Sequence, residues 1–300
     1  MYDIIIIGAG PAGLTAALYA LRAGKSVLVI EKGVFGGQMT FSPKIENFPT
    51  AMEVSGTELA DKMVEQVLNH GADMEMDTVL GVEDLGTTKK VHGEYADYEA
   101  KAVIIATGAA HRHLGIDREE DFIGNGISFC AVCDGAFYKD HDVVVIGGGN
   151  SAMQEAILLS KTSRKVTMVQ NLAALTGEGK LAEEIEKAEN ITVIYNSVVQ
   201  SILGEDTFGG ITIRNTLTGE TEQLQADGMF VAIGLVPETG SFKELITLDK
   251  FGYVDADESC FTNVPGIFTA GDCRKKAVRQ ITTAAADGAV AALAACKFVE

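Results

Sequence analysis

The chain is short of basic residues, of proline, of paired cysteines and of long hydrophobic runs, and each shortage narrows what it does. Lysine and arginine number 24 against 42 aspartates and glutamates, a formal charge of −18, which argues against nucleic acid or an anionic membrane as the main partner. Five cysteines, an odd number without framework spacing, fit a reducing compartment with one working pair. The apolar start Ile4 to Ile7 has no basic leader and breaks at Gly8, so it does not read as a signal peptide. The Ala-rich stretch 283–296 is interrupted by Asp287 and Gly288, which reads as a core helix rather than a membrane span. Five prolines stand against 33 glycines, as expected where glycines make tight strand-to-helix turns. With 300 residues, 47% of them hydrophobic, the chain is long enough for a large core and two domains, in a soluble cytoplasmic protein.

What is present centres on Cys130-Ala131-Val132-Cys133-Asp134-Gly135. Two cysteines at this spacing meet within one turn and shuttle between dithiol and disulfide. The rival reading is half of a zinc site, which needs a second pair of ligands. Cys260, Cys273 and Cys296 stand singly and no His-x₃₋₅-His follows, so redox chemistry is favoured and no metal is expected.

The chain opens with a buried-strand pattern, Ile4 to Ile7, then Gly8-Ala9-Gly10-Pro11-Ala12-Gly13, a helical pattern from Leu14 to Arg22, and a second strand, Ser26 to Ile30, ending at Glu31. Glycines there permit the tight turn and close approach of a pyrophosphate, the helix N-terminus attracts its charge, and Glu31 would accept hydrogen bonds from a ribose. The pattern restarts at Asp142 to Ile146, followed by Gly147-Gly148-Gly149-Asn150-Ser151-Ala152, a helix over 151–160 and a strand from Lys165 to Val169. This is a second dinucleotide-type unit in one chain. It ends in Gln170-Asn171-Leu172-Ala173-Ala174-Leu175, with neither a carboxylate for a ribose nor an arginine for a 2′-phosphate.

Between these units, residues 56–70 read as an amphipathic helix with Leu59, Met63, Val67 and Leu68 on one stripe, and 74–100 as an antiparallel ribbon. Ala102 to Ala106 is a further buried strand running into Thr107 and Gly108. Leu235 to Gly240 reads as a crossing between domains. In Ala270-Gly271-Asp272, the aspartate either holds a ribityl hydroxyl or caps a helix. His111 and His113 read as part of a solvated loop, and the charged run 117–121 as a solvated turn.

Taken in order, Gly8 to Gly13, Gly36-Gly37-Gln38, Glu46-Asn47-Phe48-Pro49, Ala106-Thr107-Gly108, Cys130 to Gly135, Gly147 to Ala152, Ala270-Gly271-Asp272 and Arg279-Gln280 resemble the low-molecular-weight, bacterial-type thioredoxin reductases over nearly the whole chain. The resemblance implies an α/β protein of two Rossmann-like domains: an FAD domain, 1–112 joined with 240–300, and an inserted pyridine-nucleotide-type domain, 113–239. It implies FAD held by Gly8, Gly10, Pro11, Ala12, Gly13, Glu31, Gly37, Gln38, Asn47, Thr107, Gly108, Gly271, Asp272, Arg279 and Gln280. A nucleotide would meet Gly147, Gly149, Asn150, Ser151 and Ala152. It further implies that Cys133 exchanges electrons with the flavin, that Cys130 forms the mixed disulfide with thioredoxin or a thioredoxin-like protein, that Asp134 serves as acid and base, and that the chain is a homodimer.

The chain departs from the family where NADPH-using members carry His-Arg-Arg-x-x-x-Arg, because 170–176 contains no arginine. Arginine supplies the bidentate contact a 2′-phosphate needs, so NADPH recognition is expected to be impaired or absent. NADPH, NADH, ferredoxin and a deazaflavin all remain open as electron donors. The same departure fits a flavin-dependent oxidase of a small dithiol. A non-catalytic, redox-responsive flavoprotein is the third alternative.

Overall fold

The computed structural model of the chain describes residues 1–42 and 45–300, which form two compact units, 1–110 with 236–300 and, separately, 111–235. In the larger unit the strand Tyr2–Ile7 is flanked on both sides by parallel partners, with Ile4 opposite Val27 and opposite Ala102. A strand placed this way buries both faces, which explains the unbroken β-branched run. Ile4, Ile5 and Ile6 have no exposed surface, and each contributes about 1.5–3 kcal/mol by its burial. Among the described residues the sheet runs Asp73–Met76, Val27–Glu31, Tyr2–Ile7, Asp97–Ile105, Lys89–Gly93, Val79–Asp84, with Ile267–Thr269 also pairing to Asp97–Ile105.

Two expectations need correction. The antiparallel pattern holds for Val79–Asp84, Lys89–Gly93 and the start of Asp97–Ile105, but Asp73–Met76 runs parallel to Val27–Glu31. It is an edge strand, and half-exposed alternation looks the same in either direction. The helix Gly56–Asn69, capped by Ser55 Oγ accepting the Glu58 N–H, buries Leu59, Ala60 and Val67. Leu68 is instead 49% exposed, one residue round the helix from the buried stripe.

The helix Ile281–Phe298 is long and apolar enough, by length and composition alone, to cross a membrane. Its small residues Ala284, Ala291, Ala292 and Ala295 join the core beside Ala12, Ala16, Ala17 and Ala20 of the helix Pro11–Arg22. The contact is close enough that a Cβ at Gly288 would fall 2.1 Å from the Ala12 carbonyl oxygen. Asp287 anchors the helix. It is bound by Arg274, by Lys276 at 2.8 Å and by the Gly271 N–H at 3.1 Å.

The smaller unit repeats the motif. A parallel sheet runs Ile191–Ile194, Lys165–Val169, Asp142–Ile146, Gly228–Val231, Ile127–Ser128, and an antiparallel three-stranded sheet runs Ser197–Leu203, Gly210–Asn215, Thr221–Gln225. The charged run 117–121 is solvated at Asp117, Arg118, Glu120 and Asp121 but not throughout. Glu119 is buried and accepts the Leu114 and Gly115 N–H groups, while Arg118 donates to the Gly204 and Glu205 carbonyls.

Candidate functional site

The first glycine loop has three glycines in three different roles. Gly8 sits at φ +106, where a Cβ would fall 2.4 Å from the Ala106 carbonyl oxygen, so it makes the tight turn. Gly13 lets helix and strand close, since a Cβ there would lie 1.8 Å from Gly8 O. Gly10 has nothing within 4 Å of a Cβ position, so its side of the loop is open to a ligand. Pro11 occupies the first helical turn, where its missing N–H costs nothing. Glu31 accepts the Ala9 N–H and the Gly33 N–H, both at 2.8 Å, and each carboxylate oxygen keeps a lone pair for another donor.

Other predicted residues gather round this loop. Gly37, at φ +60, packs on Gly10, and the neighbouring Gly36 N–H donates to Ala9 O. Thr107 abuts Gly8, and Gly271 abuts Ala12. Asn47 donates to Gln280 Oε1 at 3.3 Å. Gln280 caps the last helix reciprocally with Thr283, so Asp272 is not that helix's cap. Instead Asp272 Oδ1 and Thr107 Oγ1 are buried without a hydrogen-bond partner. Burial pushes the Asp272 carboxyl up against the pull of Lys276 and Arg279. Buried orphans of this kind mark a missing ligand. An open glycine cradle, an acidic residue at the strand end and two orphaned oxygens fit FAD. Arg279 stacks on the Tyr253 ring at 4.2 Å, Gln38 is exposed, and Gly108, at φ +70, accepts the Glu238 N–H.

The second glycine loop, in the other unit, starts alike and ends differently. Gly147 at φ +129 would place a Cβ 2.5 Å from Ala232 O, and Ala152 is fully buried beneath it. The chain after the second strand folds back over the loop. The Thr176 N–H donates to Gly148 O at 2.8 Å, and the Glu178 N–H to Asn150 Oδ1 at 2.7 Å. Gln170, at the position where a ribose ligand is expected, is 3% exposed and spends its amide on Ala174 O and the Asn171 N–H. Ser151 is exposed at the start of the helix Asn150–Ser160, and Gly149 lies 4.0 Å from Thr176 Oγ1 at its Cβ position.

In the same unit Cys130 and Cys133 form a disulfide with Cα atoms 5.3 Å apart. Cys130 caps the short helix Ala131–Asp134, Cys133 lies within it, and the Cys133 N–H points at Cys130 Sγ at 3.2 Å. Ser128 donates to Asp134 Oδ2 at 2.6 Å and accepts the Cys130 N–H at 3.1 Å, tying the carboxylate to the pair. Sequence reasoning missed Ser128. Its signal was a hydroxyl two residues before the first cysteine, the spacing of a local side-chain turn. His111 and His113 are not in a freely solvated loop. Their rings both stack on Phe129, at 4.8 Å and 5.3 Å, and burial drives the His111 pKa down to about 4. Among the described residues no cluster of His, Cys, Asp and Glu is arranged to hold a metal.

A family model described as pyridine nucleotide-disulphide oxidoreductase matches residues 2–288. The chain is 44% identical over 301 residues to a thioredoxin reductase of Listeria monocytogenes, covering 100% of this chain and 94% of that one. It is 43% identical over 298 residues to a "34.2 kDa protein in rubredoxin operon" of Clostridium pasteurianum, covering 99% and 97%. The crystal structure of the thioredoxin reductase of Streptococcus pyogenes superposes with a TM-score of 0.94 at 43% identity, covering 99% of this chain and 98% of that one. The chain therefore belongs to the pyridine nucleotide-disulphide oxidoreductases and, among them, to the FAD-dependent low-molecular-weight thioredoxin reductases.

Proposed function

We propose that this enzyme reduces thioredoxin or a thioredoxin-like protein through Cys130 and Cys133, and that its electron donor is not NADPH. In this reading 1–110 with 236–300 is the FAD domain and 111–235 the inserted domain carrying the redox pair. The observation behind the first part is a disulfide on a short turn with a carboxylate tied to it through Ser128.

FAD, when bound, supplies a two-electron relay between donor and disulfide. Two electrons and two protons open the Cys130–Cys133 bond to two thiols. Cys130 then loses its proton and attacks the partner disulfide. The Cys133 N–H aimed at Cys130 Sγ favours that thiolate. Cys133 attacks the mixed disulfide in turn, restoring the intramolecular bond and releasing the partner as a dithiol. Asp134, oriented by Ser128, takes and returns the proton.

The donor reading rests on Gln170. Its side chain is buried and spent within its own loop, and no arginine stands in 170–176. The test is anaerobic: purified enzyme is mixed with NADPH and separately with NADH while flavin absorbance is followed. Dithionite should bleach the flavin fully and NADPH should not. Fast bleaching by NADPH overturns the donor assignment. Rapid oxygen consumption with a small dithiol, without thioredoxin reduction, overturns the substrate assignment in favour of a dithiol oxidase.

A further inference from the structure

The turn that carries Asp272 is held at both ends by one side chain from another element. After the strand Ile267–Thr269, Gly271–Cys273 makes a single 3₁₀ turn. Gly271 begins it at φ +79, where a Cβ would fall 2.8 Å from the Ala12 Cβ, so the turn lies against the helix of the first glycine loop. The Arg274 N–H closes the turn on Gly271 O at 3.3 Å. From the helix Ile281–Phe298, Asp287 Oδ2 accepts the Gly271 N–H at 3.1 Å and Arg274 Nε at 2.9 Å, while Oδ1 accepts Arg274 Nη2 at 2.8 Å. Asp287 therefore grips the residue before Asp272 and the second residue after it. Lys276 gives Oδ2 a further donor at 2.8 Å. Asp287 and Arg274 are both buried, where charge-assisted hydrogen bonds hold geometry most firmly.

Four donors thus converge on Asp287, while Asp272 Oδ1, between the two gripped residues, is buried with no hydrogen-bond partner. An aspartate has only two side-chain torsions, so once the backbone on either side is fixed its oxygen has little freedom left. An acceptor already fixed in place loses little entropy when its donor arrives, which is how preorganisation raises affinity. We propose that Asp287 is a positioning residue for the flavin: by fixing both ends of the turn it aims Asp272 Oδ1 at a donor of the cofactor, such as a ribityl hydroxyl, and its contribution to FAD affinity passes through Asp272. The inference rests on this unit being the FAD domain. It gives the buried ion pair a role in cofactor binding separate from its role in anchoring the last helix.

The test is a double-mutant cycle on FAD affinity. Flavin is stripped from wild type, Asp272→Ala, Asp287→Asn and the double variant, folding of each apoprotein is checked by circular dichroism, and FAD is titrated back while its fluorescence is followed. Asp272→Ala should weaken FAD binding about tenfold, the loss of one hydrogen bond to a charged group. Asp287→Asn, which turns one accepting oxygen into a donor, should weaken it about fivefold alone and less than about twofold in the Asp272→Ala background. Equal losses in the two backgrounds overturn the proposal, because Asp287 then acts through the fold at large. Unchanged affinity in Asp272→Ala also overturns it, since nothing would be left to position. Should Asp287→Asn fail to fold, the cycle is run with Asp287→Glu, which keeps a negative charge for Arg274 and Lys276 on an arm one methylene longer, and the same outcomes decide. Wild-type apoprotein that takes up no FAD would remove the FAD-domain reading itself. Uptake with equal losses removes only the role of Asp287.

Discussion

The two glycine loops share a sequence pattern and a backbone, and they differ in what stands on the approach side. At the first, Glu31 turns its carboxylate to the loop amides with lone pairs to spare, and the space over Gly10 is empty. At the second, Gln170 turns inward, a Cβ at Gly148 would strike its amide nitrogen at 2.3 Å, and Thr176 and Glu178 are hydrogen-bonded to Gly148 and Asn150. The glycines report a strand, a tight turn and a helix, which both units need for packing. Competence for a dinucleotide is decided by the end of the next strand and the loop that follows it.

The first loop also has a brace that the second lacks, the last helix held by Asp287, and breaking it should give the largest effect. Asp287→Asn takes from Arg274, itself 1% exposed, its buried carboxylate and leaves it only the exposed Glu258, at a cost of about 3–5 kcal/mol in denaturant unfolding. Burial alone would raise the pKa of Asp287, but Arg274 and Lys276 outweigh it and hold it below the ordinary carboxylate value. Its contribution is therefore complete above the unfolded carboxylate range and is lost as pH falls through the depressed value. Acid should narrow the gap between wild type and variant.

A matched pair of substitutions sharpens the contrast between the loops. Gly10 and Gly149 both have extended backbone that alanine accepts, at φ −74 and φ −85. Gly10→Ala puts a methyl where the pyrophosphate should approach and should weaken FAD binding by roughly 1–3 kcal/mol, read as flavin retained on dilution. Gly149→Ala should leave flavin content and thioredoxin reduction by the enzyme's own donor unchanged. Loss of turnover in Gly149→Ala would mean that the second loop carries a nucleotide after all. The converse experiment supplies what the second loop lacks. Asn171 and Leu172 are exposed, so Asn171→Arg with Leu172→Arg adds two guanidinium groups without disturbing the core. One charge-assisted contact is worth about 1.5–3 kcal/mol, so NADPH-driven flavin reduction should rise at least about tenfold, with no change for NADH. No rise would place the obstruction in the Thr176–Glu178 closure instead.

Much of this was legible in the sequence, for physical reasons. Strands buried on both faces, such as Tyr2–Ile7 and Asp142–Ile146, write themselves as β-branched runs, and the glycine turns that follow tolerate few other residues. The direction of Asp73–Met76 was not legible, because an edge strand carries the same alternation either way. The missing arginines were visible at 170–176, but not that Gln170 closes inward, since an amide serves equally as a surface group or an internal bracket. Ser128 acts on the cysteine turn from outside the Cys-x-x-Cys motif, from the preceding strand.

The smallest expected effect tests the orphaned oxygens of the first loop. Thr107 Oγ1 lies beside the Cys273 thiol but has no partner of hydrogen-bond geometry, and the thiol is itself engaged with the Ile105 and Ala270 carbonyls. In flavin-free protein that buried hydroxyl is a liability, so Thr107→Val should leave stability unchanged or raise it by up to about 1 kcal/mol. In the holoenzyme the same change should remove a contact to the flavin, and FAD affinity should fall by about 1 kcal/mol, roughly fivefold. The two signs together are the point of the test. A ligand-free polar site loses nothing when its orphan is replaced by a methyl, whereas an ordinary packed threonine loses the same amount with or without flavin. Equal destabilisation of both forms would show that Thr107 is structural, and the openness of the first loop would then rest on Gly10 and Glu31 alone.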